Sequence, residues 1–157
     1  MLFRSINGTP PSGRKQDPTV TWTVLDRMQA NMGVGWCTLF LAKTSKSPDY
    51  DWPLTVFESC VQLDPNDPRA HLGLGRVLME MGRLEEAEAE LLAARDAFEA
   101  DRARLDDEAS QAGSQGAGSP IYAALAKTRL RRGSPRDAWA SAERGRAPLF
   151  RLRRGGG

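Results

Sequence analysis

Histidine occurs once in this chain of 157 residues and cysteine twice, and those scarcities remove much of the chemistry a protein of this size could carry. Nucleophilic catalysis by serine or cysteine needs a positioned base. The lone candidate, His71, falls in the first turn of a predicted helix. Metal ligation needs clustered His, Cys or carboxylate donors, and one histidine distant from Cys37 and Cys60 supplies no such spacing. Two cysteines are also too few for a secreted disulfide framework, and both are expected to serve as small buried apolar residues. Long hydrophobic runs are absent as well. The longest, Val34 to Ala42, falls far short of the ~20 residues that cross a bilayer, and Leu2 to Ile6 is too short for a signal-peptide core. A cytoplasmic location is the default that remains. Gly73-Leu74-Gly75 follows no predicted strand, so it is not a phosphate cradle, and Asp106-Asp107-Glu108 lacks the glycine-punctuated loop of a calcium site. The expectation is a protein with no catalytic residues, no metal and no cofactor.

What the chain does have is charge, unevenly spread. The net charge is only +2, yet Glu80 to Glu108 carries 11 acids against 4 bases, and Arg129 to Arg154 carries 9 arginines against Asp137 and Glu143. Such a dipolar chain is suited to self-association or to charged partners. Met1 to Pro18 is rich in Gly, Pro, Ser and Lys/Arg without apolar periodicity, and is expected to be disordered.

Helical periodicity is clearest from Pro68 onward. Asp67 is a good N-cap, Pro68 suits the first helical position, and Ala70, Leu74, Val77, Leu78 and Met81 form one apolar stripe. After Gly82, Leu84, Ala87, Leu91, Ala94 and Phe98 form a second stripe, with Glu85 and Glu86 complementing the positive helix start. Leu74, Gly75, Leu78, Gly82, Ala87, Leu91 and Ala94 together resemble the tetratricopeptide repeat, a helix-turn-helix unit of about 34 residues that buries its apolar face by stacking. The resemblance implies an all-α, right-handed solenoid of antiparallel helix hairpins, with about three repeats. It also implies a packing role for His71, because a large residue normally stands at that position.

The repeats are predicted at 34–65, 68–109 and 119–147 within a domain spanning 19–150, with a flexible glycine-serine loop at 110–118 and a disordered tail at 151–157. Gly82 and Gly133 stand 51 residues apart, as do Ala87 and Ala138, so both landmarks of the third repeat shift together. In the first repeat, Trp36, Leu39 and Phe40 match the family's Trp-x-x-Leu-Gly opening, except that Phe40 replaces the small residue. Val20 to Met28 is read as an extra leading helix. Trp22, Trp36 and Trp139 are expected in the core, and Trp52, before Pro53, on the surface.

In this family the first helices line a concave groove. Carrying its binding positions onto this chain selects Arg69, Leu72, Arg76, Met79 and Glu80 from one helix, and Ala123, Lys127, Leu130 and Arg131 from the next. Arg69, Arg76, Lys127 and Arg131 imply a basic groove for a protein or peptide partner of acidic character, since guanidinium forks pair with carboxylates. Cys37 and Leu41 stand where chaperone-tail binders carry Lys and Asn, which excludes that subset. Membrane partners are not expected, and the open repeat ends leave homo-oligomerisation available.

Two other readings stand beside the scaffold. Asp137 to Ala147 is similar to the last repeat before the peptidase domain of bacterial CHAT proteins, which implies a regulatory segment of a larger enzyme. Nucleic-acid binding by Arg144 to Arg154 is disfavoured, because stacking aromatics and a reading motif are lacking. The repeat register itself is directly testable. Burying a leucine contributes about 1.5–3 kcal/mol, so Leu74→Asp and Leu91→Asp are each expected to abolish cooperative thermal unfolding followed by circular dichroism.

Overall fold

The computed structural model describes residues 23–104 and 108–154; at 24–25, 108–119 and 147–154 it is the backbone alone that is described. The expected disorder of Met1 to Pro18 and the place of Trp22 lie outside these residues. Six helices follow in order: α1 (Val24–Thr44), α2 (Asp51–Leu63), α3 (Pro68–Glu80), α4 (Leu84–Ala103), α5 (Glu108–Arg131) and α6 (Pro135–Arg154). They pair as three hairpins, α1/α2, α3/α4 and α5/α6, and each second helix packs on the first helix of the next hairpin. The first helices α1, α3 and α5 are neighbours in one layer. Among the described residues the fold is all-α, a stack of helix hairpins of the tetratricopeptide type.

Local chemistry sets the helix ends. Thr23 and Asp26 close a reciprocal capping box on α1, with the Asp26 amide donating to Thr23 Oγ1 at 3.1 Å and the Thr23 amide to Asp26 Oδ2 at 2.9 Å. Asp67 caps α3 by accepting from the Arg69 amide at 2.8 Å. Gly82 and Gly133 both sit at φ +79°, where a Cβ would be strained. Each closes the same double bond: Arg83 N–H donates to Leu78 O and Gly82 N–H to Met79 O, while Ser134 N–H donates to Arg129 O and Gly133 N–H to Leu130 O. The two glycines are therefore equivalent bends, as their common offset predicted.

The core is built on one residue per second helix, wedged between two small residues. Phe57 is fully buried; a Cβ on Gly35 of its own hairpin would stand 2.7 Å from its ring, and one on Gly73 of the following hairpin 2.1 Å. Leu91 repeats the arrangement 34 residues on, against Gly75 and the buried Ala124. Since Phe57 and Leu91 are equivalent, so are Gly35 and Gly75.

That equivalence corrects the register of the first repeat. Gly35, not Phe40, holds the small position, and Trp36 follows it as Arg76 follows Gly75. Gly35 and Gly75 stand 40 residues apart, and the six beyond a 34-residue period are absorbed by a longer α1 and the Ser45–Tyr50 connection. The predicted leading helix is not separate either: its residues 24–28 continue into the repeat as part of α1, and 20–22 lie outside the described residues.

Three predicted boundaries also differ. The second repeat's last helix ends at Ala103 rather than near Ala109. The expected loop 110–118 is helical backbone within α5, so the helix opening the third repeat starts at Glu108 and not at 119, with Pro120 inside it. Ala109, Gln111, Ala112, Gln115 and Ala117 are strong helix formers, and extension from the packed 121–131 half needs no new nucleation step, although Pro120 has no N–H to offer the Gly116 carbonyl. Residues 151–154, expected in a disordered tail, belong to α6, where Arg151, Leu152, Arg153 and Arg154 again favour helix.

Glycines in α1 separate the two uses of the residue. A Cβ on Gly33 meets nothing within 4 Å, whereas one on Gly35 meets the immobile Phe57 ring. Gly33→Ala is expected to raise stability by up to about 1 kcal/mol, and Gly35→Val to lower it by about 1–3 kcal/mol through overpacking, both read from urea midpoints.

Candidate binding groove

Three first helices in one layer leave a concave face, and a hollow of about 490 Å³ runs along it. From α1 it receives Trp36, Leu39, Phe40 and Lys43; from α3, Arg76, Met79 and Glu80; from α5, Ala123, Ala124 and Lys127. The recurrence is regular. Counting from the small residue, positions one, four and five are Trp36, Leu39 and Phe40 on α1, and Arg76, Met79 and Glu80 on α3. On α5, Lys127 likewise follows Ala126.

The floor of the groove is a cation on an aromatic ring. The Arg76 guanidinium carbon stands 5.2 Å from the centroid of the Trp36 ring, which itself meets Phe57 edge-on at 5.1 Å. Burial pushes the Arg76 pKa below its ordinary value, yet an arginine remains charged at neutral pH. No carboxylate pairs with it among the described residues. Lys127 is exposed, and it too has no such partner among them. At the rim, Lys43 Nζ pairs with Glu80 Oε1 at 2.9 Å, and Arg131 Nη1 donates to the Met79 carbonyl at 3.0 Å.

Of the residues selected from sequence, Arg76, Met79, Glu80, Ala123 and Lys127 line this hollow. Arg131 reaches its edge through Met79. Arg69 and Leu72 do not belong to it: they line a second hollow of about 440 Å³ near the start of α3. Arg69 is clamped there on its own N-cap, Nε to Asp67 Oδ1 at 3.2 Å and Nη2 to Asp67 Oδ2 at 2.9 Å. Leu72 is buried against Leu91 and Phe98. Leu130 is 63% exposed and lines neither hollow.

Trp36, Phe40 and Lys43 were missed, because the first repeat was read five residues out of register. A signal existed: Ala30-Asn-Met-Gly-Val-Gly-Trp36 matches Ala70-His-Leu-Gly-Leu-Gly-Arg76 at a constant offset. Two further expectations fail nearby. Cys37 is exposed, although Cys60 is buried and its thiol is pushed up to about 11 by burial, and Trp139 is 65% exposed rather than core.

His71 is fully engaged in structure. Its Nδ1 lies 2.7 Å from Glu90 Oε2 and its Nε2 2.8 Å from the Pro65 carbonyl oxygen. Both partners only accept, so satisfying both requires the doubly protonated ring. The hydrogen bond to Glu90 raises its pKa above 6.5 against the opposing pull of burial. Tyr122, whose hydroxyl donates to Glu99, is pushed up to about 12, chiefly by burial. Between hairpins, burial pushes the Glu88 carboxyl up, but Arg129 at 2.7 Å and Arg132 more than offset it, and the net pKa falls. Arg129 also donates to Ser141 at 2.8 Å, which ties α4, α5 and α6 together.

Stacked hairpins with a concave face of first helices define a helical-repeat fold. Within the chain, residues 54–107 match the tetratricopeptide repeat family model, about a third of the length. A search of curated proteins finds no match. One solved structure, described as the crystal structure of MamA, is similar over 83% of this chain and 91% of that chain, at 14% identity and a TM-score of 0.29, a likeness too loose to carry an argument. The CHAT-like string Asp137 to Ala147 lies in α6, beyond the matched residues. Among the described residues no helix is long and apolar enough to cross a membrane.

The His71 geometry fixes a sign. A group whose folded pKa is raised stabilises the fold fully below its unfolded value of about 6.5, and that stability is lost as pH rises through the folded value. Urea midpoints are expected to fall as pH rises above 6.5 and to flatten in His71→Gln. An NMR titration is expected to place the imidazole above 6.5 in the native chain and to move it down in Glu90→Gln.

Proposed function

We propose that the chain is a protein-interaction scaffold that holds an extended acidic segment in the groove between α1, α3 and α5. The observation that carries this reading is Arg76: half-buried, stacked on Trp36, and without a carboxylate partner among the described residues. A partly desolvated guanidinium gains most from an arriving carboxylate, because low local dielectric strengthens the charge-assisted bond. Lys127 lies across the same hollow and adds a second positive charge, while Glu80 is already neutralised by Lys43. Phe40, 67% exposed, and the aliphatic wall of Leu39, Met79 and Ala124 suit an apolar residue next to the acid. The ligand class is therefore a peptide carrying Asp, Glu or a terminal carboxylate beside a hydrophobic side chain.

Titration calorimetry with acidic-hydrophobic peptides from an array tests the proposal. Arg76→Glu and Lys127→Glu are each expected to weaken binding at least about tenfold, a loss of ~1.4 kcal/mol. Replacing the peptide's carboxylate by its amide is expected to have the same effect. Acidic peptides that bind both variants as tightly as the parent chain would overturn it.

A further inference from the structure

The two ends of the stack expose large hydrophobic residues. Val34 and Leu41, 39% and 63% exposed, lie on α1, and Leu130 and Trp139, 63% and 65% exposed, lie on α5 and α6. Their places in the repeat explain the first pair. Ala30, Val34, Cys37 and Leu41 form one stripe along α1, equivalent to Ala70, Leu74 and Val77 on α3 with Met81 just after it, and to Ile121, Leu125 and Thr128 on α5 with Arg132 just after it. On α3 and α5 that stripe is the seam on which the preceding hairpin packs. On α1 the same seam is open among the described residues.

The other end is its counterpart. At the joint between the second and third hairpins, Glu88 pairs with Arg129 and Arg132, and Met79 Sδ receives the Thr128 hydroxyl at 3.4 Å. At the joint before it, the residues equivalent to Glu88 and its partners are Leu54, Leu78 and Met81, an apolar set in one core cluster. The residues equivalent to Glu88 and Met79 in the last hairpin are Trp139 and Leu130. Those equivalent to Arg129, Arg132 and Thr128 in the first are Thr38, Leu41 and Cys37. A third joint made by the same rule would set Trp139 on Thr38 and Leu41, and Leu130 on Cys37. The five residues so paired carry no charge, as Leu54, Leu78 and Met81 carry none at the first joint, while Arg136 takes the place of Glu85 beside Leu41 and Glu143 that of Leu92.

We infer that this chain self-associates head to tail, the α5/α6 end of one copy seating on the α1 seam of the next. The occupant of each end is a second copy of the chain. Such a contact is heterologous: each copy uses two different surfaces, so association continues into rings or filaments instead of stopping at a symmetric dimer. The concave groove lies on a separate face and would run on from copy to copy, so this inference does not rest on the peptide proposal and can fail without it.

Sedimentation velocity over a wide concentration range tests it. Leu41→Glu and Trp139→Glu change exposed side chains, and circular dichroism verifies that both fold. The parent chain is expected to gain mass with concentration beyond a dimer, and each variant alone to stay monomeric. Mixing the variants is expected to restore a one-to-one complex and nothing larger, because one brings an intact α6 end and the other an intact α1 seam. A parent chain that stays monomeric, a mixture that yields no complex, or association abolished by Leu41→Glu but untouched by Trp139→Glu would each overturn it. The last outcome would instead identify a symmetric contact between two α1 seams.

Discussion

A benzene ring held between two glycines sets the spacing of the first joint. Phe57 fills the gap between α1 and α3 because Gly35 and Gly73 present no side chain to it, and any Cβ at either place would stand closer than atoms allow. That wedge fixes how near the first helices of successive hairpins approach, and so how wide the concave face is. Leu91 does the same work at the second joint against Gly75 and Ala124. Interiors are packed as densely as crystals, so a small-large-small layer of this kind admits few alternative registers.

The groove inherits its chemistry from the same layer. The residue after each small position points onto the concave face, and in this chain those residues are Trp36, Arg76 and Lys127. The wedge therefore brings an aromatic ring of one hairpin beneath the guanidinium of the next, where burial lowers the arginine's pKa without discharging it. A pre-positioned, partly desolvated cation gives up less freedom on binding than one on a mobile side chain in water. Charges elsewhere are spent on structure: Glu88 with Arg129 and Arg132 joins two hairpins, and His71 joins α4 to the corner before α3.

Much of this was legible in the residues alone. Gly82 and Gly133 announced equivalent bends because only glycine takes a left-handed cap readily, and both are found at the same φ. Arg76, Met79 and Lys127 were assignable to the hollow's lining because Gly82 and Gly133 anchor the registers of the second and third repeats. Arg69 and Leu72 were not, since an N-cap carboxylate captures one and the next joint buries the other. The first repeat misled because Trp36 imitates a packing aromatic, and the glycine before it marks the closest approach only when Phe57 is known to stand opposite.

The amino-acid sequence by itself determined the bends at Gly82 and Gly133 and the apolar stripes of the helices that flank Gly82. These are local properties, set by capping, glycine conformation and a 3.6-residue period within one or two turns of chain. Only the tertiary structure decided the first repeat's register, the membership of the groove and, among the described residues, the exposure of the apolar stripe on α1, because each depends on which side chain from a distant hairpin fills or leaves empty the space beside a small residue.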